Sequence, residues 1–254
     1  MEFTNKYFFK DMSVMFQRSM RHVFRSIDTI ITVSITPIIM MLLFVYVFGG
    51  AIETGAENYV NYLLPGIMLM SVGSGIAYVA YRLFTDKQRG IFERFHSMPI
   101  SRSTVLWGHV LTSLISNGIS VVVIIFVALL MGFRSSAGIL QWLGVWGILG
   151  IFTLALTWIA VIAGLLAKTP DGASAFSYPI IFLPFISSAF VPTQTMPSVV
   201  GAFAENQPVM PIVEAIRNLL ENQQVGSDIW VALAWCIGIT VVAYVFAMKV
   251  YKKI

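Results

Sequence analysis

Charge is scarce in this sequence. Only 11% of the residues are Asp, Glu, Lys or Arg, less than half the roughly 25% usual in a soluble domain, while 57% are hydrophobic. A mean hydropathy of +0.82 cannot come from one apolar core wrapped in a polar surface, so lipid must supply much of the solvent. Cysteine is nearly absent: the lone Cys236 excludes an internal disulfide framework and a thiolate metal cluster. The sequence has no GxxxxGKS/T phosphate loop and no HExxH or similar cluster. His22, His96 and His109 are scattered and read as surface or packing histidines. Spans of about twenty residues take up roughly half the length, which leaves no room for an ATPase, nuclease or Rossmann domain of ~100 to 200 residues.

Long apolar runs are what the sequence does have. They lie at 27–48, 59–81, 105–133, 140–166, 176–191 and 229–248, and predict six transmembrane helices. The first follows a polar segment without a small-residue cleavage site, so it reads as a retained span. Pro37 and Pro65 predict kinks in the first two spans. Pro179 and Pro184, followed by Pro192 and Pro197, predict a kinked fifth helix and then a re-entrant segment. Six spans put both termini on one side of the membrane. All of the 16 Lys and Arg except Arg134 and Arg217 fall on that side, so the positive-inside rule predicts cytoplasmic termini in the cell membrane. The net charge of +4 and pI near 9.2 therefore need no nucleic-acid partner. Before the first span, Phe9, Met12, Phe16, Met20, Val23 and Ile27 recur at steps of three and four, with Arg18, Arg21 and Arg25 on another face. Residues 1–26 are thus expected as an amphipathic interfacial helix.

The cores of the six spans contain no Asp, Glu, Lys or Arg, so a proton- or sodium-coupling group of the kind carriers place near the midplane is missing. Energy is expected from a partner. The cytoplasmic loop 85–104 is where a partner would dock. Ile91, Phe92, Phe95 and Met98 form an apolar stripe among Asp86, Lys87, Arg89, Glu93 and Arg94, and Pro99 ends the helix. Phe92 and Phe95 are the expected anchors, and Lys87 a solvated charge.

Arg89-Gly90, Glu93-Arg94 and Ser97-Met98-Pro99-Ile100-Ser101-Arg102 resemble the corresponding loop of ABC-2 type permeases, the membrane subunits of ATP-binding-cassette exporters. The stretch Phe185 to Pro192, then Met196-Pro197, Asn206, Pro208, Glu214 and Arg217, resembles that family's fifth span and external segment, with Gln207 inserted between Asn206 and Pro208. The drug-efflux branch, typified by daunorubicin-resistance permeases, is the most similar. The resemblance covers essentially the whole chain. It implies an all-α integral membrane fold of the ABC-2, or type V exporter, kind. It also implies an ATPase-coupling helix (Asp86, Lys87, Arg89, Gly90, Ile91, Phe92, Glu93, Arg94, Phe95, Met98, Pro99) and two ATPase subunits per complex. A second permease copy or homologue completes the implied assembly. ATP and Mg would sit on the ATPase partner, and this chain would bind no cofactor and catalyse nothing.

The external segment 193–227 is too polar to span twice, yet carries Val199, Val200, Phe203, Ile212, Ile216 and Leu219, so short re-entrant helices in the outer leaflet are expected. Pro192, Pro197, Asn206, Pro208, Glu214 and Arg217 mark it, with the last two at i and i+3 and able to pair. Gly144, Gly147 and Gly150 recur on the fourth span and suggest close helix packing within the chain. The 13 Met and 19 Phe supply adaptable apolar surface; Met68, Met70, Phe182, Phe185 and Phe190 are the candidate path for a lipophilic drug, antibiotic or lipid-like substrate. The competing class is an ion-coupled secondary transporter or channel, disfavoured by the missing midplane charge. An intramembrane enzyme is disfavoured by the missing catalytic constellation.

Overall fold

A computed structural model describes residues 12–14, 16–17, 20, 27–49, 58–92, 102–224 and 226–251, and every regular element among them is helical. Helix α1, Ile27–Leu42, contains Pro37 and runs into a six-residue π-helical stretch, Leu43–Phe48. Then come α2 (Tyr59–Gln88), α3 (Arg102–Leu130) and α4 (Ile139–Leu166). The fifth apolar run is broken into α5 (Pro170–Ala175), α6 (Ser177–Phe182) and a 3₁₀ turn, Leu183–Ile186. After a second 3₁₀ turn at Thr193–Thr195, α7 (Ser198–Asn206) and α8 (Val209–Leu220) lead into α9 (Asp228–Tyr251).

Among the described residues, α2, α3, α4 and α9 are long and apolar enough to cross a membrane, and Val33–Phe48 is a shorter apolar helix. The fifth run differs from a single kinked span because Pro179 and Pro184 each remove an amide donor within seven residues of Ser177, so the helical ladder restarts. Of the expected interfacial helix 1–26, most lies outside the described residues. Those described are helical, with Met20 buried, Met12 and Phe16 half-buried, and Ser13, Val14 and Gln17 exposed.

Helix α2 is the centre of the bundle: 78% of its apolar window is buried, against 22% of that of α9, which lies at the periphery. Local chemistry sets its ends. Asn58 caps α2 by accepting a hydrogen bond from the Val60 amide at 3.0 Å, and its own amide group reaches the Gly132 carbonyl at 2.9 Å. Gly132, with φ +98°, ends α3 in a Schellman turn in which Phe133 N–H donates to the Ala128 carbonyl and Gly132 N–H to that of Leu129. Asn61 and Arg134 then exchange two hydrogen bonds, fixing the start of α2 to the α3–α4 turn. Ser135 Oγ donates to the Leu220 carbonyl and ties α8 to the same end.

Glycines let the helices approach, though not where their spacing suggests. A Cβ on Gly164 would stand 2.7 Å from the Ala80 carbonyl oxygen, and one on Gly66 2.6 Å from the Ala189 methyl. Of the expected stripe on α4, only Gly144 packs, against Leu219; Gly147 and Gly150 have open space where a Cβ would be. The expectation of intrachain packing is corrected there, because the partner helices cross α4 on another face.

Candidate functional site

The loop expected to couple to a partner begins inside α2. Thr85, Asp86 and Lys87 continue the helix, which ends at Arg89 and turns at Gly90, whose φ is +65°. Ile91 and Phe92 resume helical geometry. Asp86 to Met98 is therefore not one continuous helix, a correction to the sequence reading that follows from the left-handed glycine. Nor is Lys87 solvated: its Nζ donates to the Leu165 carbonyl at 2.6 Å, in the last turn of α4, where a cation meets the negative end of the helix dipole. Asp86 faces His109 of α3 at 3.4 Å, both largely buried.

Phe92 is also corrected. It is 2% exposed, set edge-to-face on Tyr251 with centroids 5.7 Å apart, and packed among Leu83, Leu106 and Trp158. Its ring belongs to a core at this end of the bundle and is not available as an anchor for another chain. Trp158, wholly buried, meets Trp107 at 5.3 Å and Tyr244 at 4.8 Å, so α3, α4 and α9 converge on one aromatic junction. Arg89 is exposed, whereas Gly90 and Ile91 are half-buried. Glu93, Arg94, Phe95, Met98 and Pro99 lie outside the described residues.

At the opposite end the expected pair is formed, with its arginine buried and its glutamate partly exposed. Arg217 is 7% exposed and bonds Glu214 Oε1 at 2.7 Å. Its guanidinium also donates to the carbonyls of Tyr62 at 3.1 Å and Ser188 at 2.6 Å, and lies 3.9 Å from the Tyr62 ring centroid. Ser188 Oγ donates to Glu214 Oε1. One arginine thus clasps α8, the start of α2 and the turn after the broken fifth run; the sequence spacing revealed the pair but neither of these distant partners. Gln207, buried, donates to the carbonyls of Ile186 and Leu183, so the inserted residue itself ties the external segment to that turn. Pro192 and Pro197 precede helical turns, their carbonyls accepting from Thr195 N–H and Gly201 N–H. Asn206 closes α7 with a bond to the Ala202 carbonyl, and Pro208 precedes α8.

The five candidate path residues are not brought together. Met68 and Met70 are completely enclosed in the chain's own core and offer no surface in this conformation. Phe182, exposed, leads instead through Phe185 to Phe190, with centroids 5.9 Å and then 4.6 Å apart, and Phe44 of the π-helical stretch closes the column at 4.7 Å from Phe190. Sequence reasoning also passed over a polar line on α3: His109, Thr112, Ser113, Ser116, Asn117 and Ser120, at steps of three and four, a signal available in the spacing.

No group of His, Cys, Asp or Glu among the described residues is placed to hold a metal ion. The chain matches the sequence profile of the ABC-2 type transporter family over residues 10–220. It is similar to the daunorubicin resistance ABC transporter permease protein DrrB1 of Streptomyces coeruleorubidus, 29% identical over 88% of this chain and 80% of that protein. It is also similar to the probable doxorubicin resistance ABC transporter permease protein DrrC of Mycobacterium tuberculosis, 26% identical over 90% of this chain and 83% of that protein. A third relative, the doxorubicin resistance ABC transporter permease protein DrrB of the same organism, is 25% identical over 80% of this chain and 69% of its own length. With a profile match across most of its length and four helices able to cross a membrane, the chain belongs to the ABC-2 type transporter family, as the multi-pass, non-catalytic permease subunit that works with a separate nucleotide-binding ATPase subunit.

Proposed function

We propose that this permease exports lipophilic, anthracycline-like drugs as part of a complex of two permeases and two ATPase subunits, with six membrane segments per permease and both termini cytoplasmic. The observation that carries this reading is the buried core at the Phe92 end of the bundle. A push on the segment that follows Gly90 is delivered through Phe92 into Tyr251 and Trp158, and through Lys87 into the end of α4. A close-packed interior transmits such a load rather than absorbing it. The exposed Arg89 and the residues after Phe92 are the proposed ATPase contact. The substrate path runs along Phe182, Phe185, Phe190 and Phe44, between the ends that move and the Arg217 clasp. The names of the three relatives and the basic flank supplied by Arg82, Lys87, Arg89 and Lys168 support the substrate class and the orientation.

Vesicles containing the permease with its ATPase partner should move doxorubicin in an ATP-dependent manner, and the permease alone should not. In cells, a cysteine at Gln224 should react with an impermeant thiol reagent, and one at Lys168 should not. Uptake that follows an ion gradient without ATP would overturn the reading, as would the opposite labelling pattern.

A further inference from the structure

The two stacked rings of the aromatic column are anchored differently. Phe190, 2% exposed, belongs to the body of the bundle: its carbonyl accepts a hydrogen bond from Tyr59 Oη at 3.1 Å, and a Cβ on Gly66 of α2 would stand 3.3 Å from its ring. The Ser188 carbonyl, two residues earlier, is held by Arg217. Phe185 is carried instead by the 3₁₀ turn Leu183–Ile186, in which Pro184 lacks an amide donor. The rings of Phe185 and Phe190 lie 4.6 Å apart with their planes at 8°. A flat molecule between them needs ~7 Å, two carbon contact distances of ~3.5 Å, so the rings must part before it enters.

The Phe185 turn is tied by a side chain from the external segment. Gln207 follows α7 in extended backbone, just before α8, and is 4% exposed. Its Nε2 donates to the carbonyls of Ile186 and, at 3.3 Å, Leu183, the last and first residues of the turn. Among the described residues these are the only hydrogen bonds from the external segment to that turn. Gln207 Oε1 is buried without a partner, so the amide brings its donors to the turn at a cost in burial that an apolar side chain of equal length would not incur.

We propose that Gln207 is a positioning residue for the substrate: by holding the turn it keeps Phe185 against Phe190 and sets how readily the pair parts for a flat aromatic molecule. The proposal rests on the export reading, which makes the column the substrate path. Apparent affinity falls with the fraction of molecules whose rings stand apart, so loosening the turn raises affinity.

The test compares wild type with Gln207→Met, which keeps the length and loses the donors, in vesicles containing the full permease and its ATPase partner. The KM for doxorubicin should fall about threefold to tenfold, the worth of a lost hydrogen bond, with kcat within about twofold. In a Phe185→Ala background the same substitution should leave KM unchanged, since no ring remains to position. The amides of residues 185–187 should exchange hydrogen about threefold to tenfold faster in Gln207→Met, while those of α4 keep their rate. Retention of the ATPase partner verifies folding; if Gln207→Met fails that check, Gln207→Leu takes its place. An unchanged or raised KM overturns the proposal, as does a fall of equal size in the Phe185→Ala background. Unchanged exchange in the turn, or a rise shared by α4, overturns it as well. The two readings fail separately: export with an unaltered KM in Gln207→Met sinks the role of Gln207 alone, whereas faster exchange in the turn of a permease that does not move doxorubicin keeps the tie and sinks the drug reading.

Discussion

Replacing Arg217 by Met keeps the helix and much of the side-chain volume but removes the charge from a clasp that joins three segments. The loss strands Glu214, whose side chain is 27% exposed, together with the Ser188 carbonyl. Removing one partner of a buried ion pair costs about 3–5 kcal/mol; water reaching the partly exposed carboxylate lowers the expected cost here to roughly 2–4 kcal/mol. For a chain of this size that is a drop of about 5–15 °C in the unfolding midpoint. Arg217→Lys should lose roughly half as much, because an ammonium cannot bridge the Tyr62 and Ser188 carbonyls in the way a planar fork does. The charge-swapped double variant, Glu214→Arg with Arg217→Glu, should not be rescued, since it turns a carboxylate toward those two carbonyl oxygens. The assay is thermal unfolding of the purified permease in detergent, followed by export in vesicles. Full rescue by the swap, or an Arg217→Met midpoint within about 2 °C of wild type, would refute the idea that this geometry, rather than simple pairing, holds the outer end.

Phe92→Ala should lower the unfolding midpoint of the isolated permease, by roughly 3–5 kcal/mol of lost packing, even without any ATPase present; an effect confined to ATPase copurification would show that Phe92 faces the partner instead. Lys87→Ala should cost about 0.5–2 kcal/mol through the uncapped end of α4, and Lys87→Arg should recover most of it in the same unfolding assay. Gly164→Ala should destabilise by about 1–3 kcal/mol as its methyl meets the Ala80 carbonyl, while Gly147→Ala, with open space, should leave the midpoint unchanged.

The four long helices were legible because apolar runs of sufficient length declare themselves without knowledge of neighbours. The inner end of α2 was not. Thr85, Asp86 and Lys87 are polar, and polar residues after an apolar run read as loop until His109 and the Leu165 carbonyl are seen beside them. Phe92 and Phe95 share a periodic stripe, and periodicity says that a face is buried without saying by which chain. At the outer end, spacing of three residues made the Glu214–Arg217 pair visible. Tyr62 and Ser188, 155 and 29 positions from Arg217, carry no local trace of their role. The polar line of α3 does not stand out in the sequence because Asn117 and Ser116 carry no charge, the feature that marks a coupling group within a span.

The break in the fifth segment has a mechanical consequence. Helices α2, α3 and α4 act as beams pinned at both ends, on one side by the Trp158 junction between α3 and α4 and by the contacts of Asp86 and Lys87 that tie α2 to them, and on the other by the Asn58, Asn61 and Ser135 bonds. Between Pro170 and Ile186 the chain is a row of short links with the hydrogen-bond ladder interrupted at Phe176 and again beyond Phe182. Under a common load, beams tilt as units and links change angle at their joints. Compliance is therefore concentrated beside Phe182, Phe185 and Phe190, so among the described residues it is the spacing of these rings that can change while the long helices barely deform.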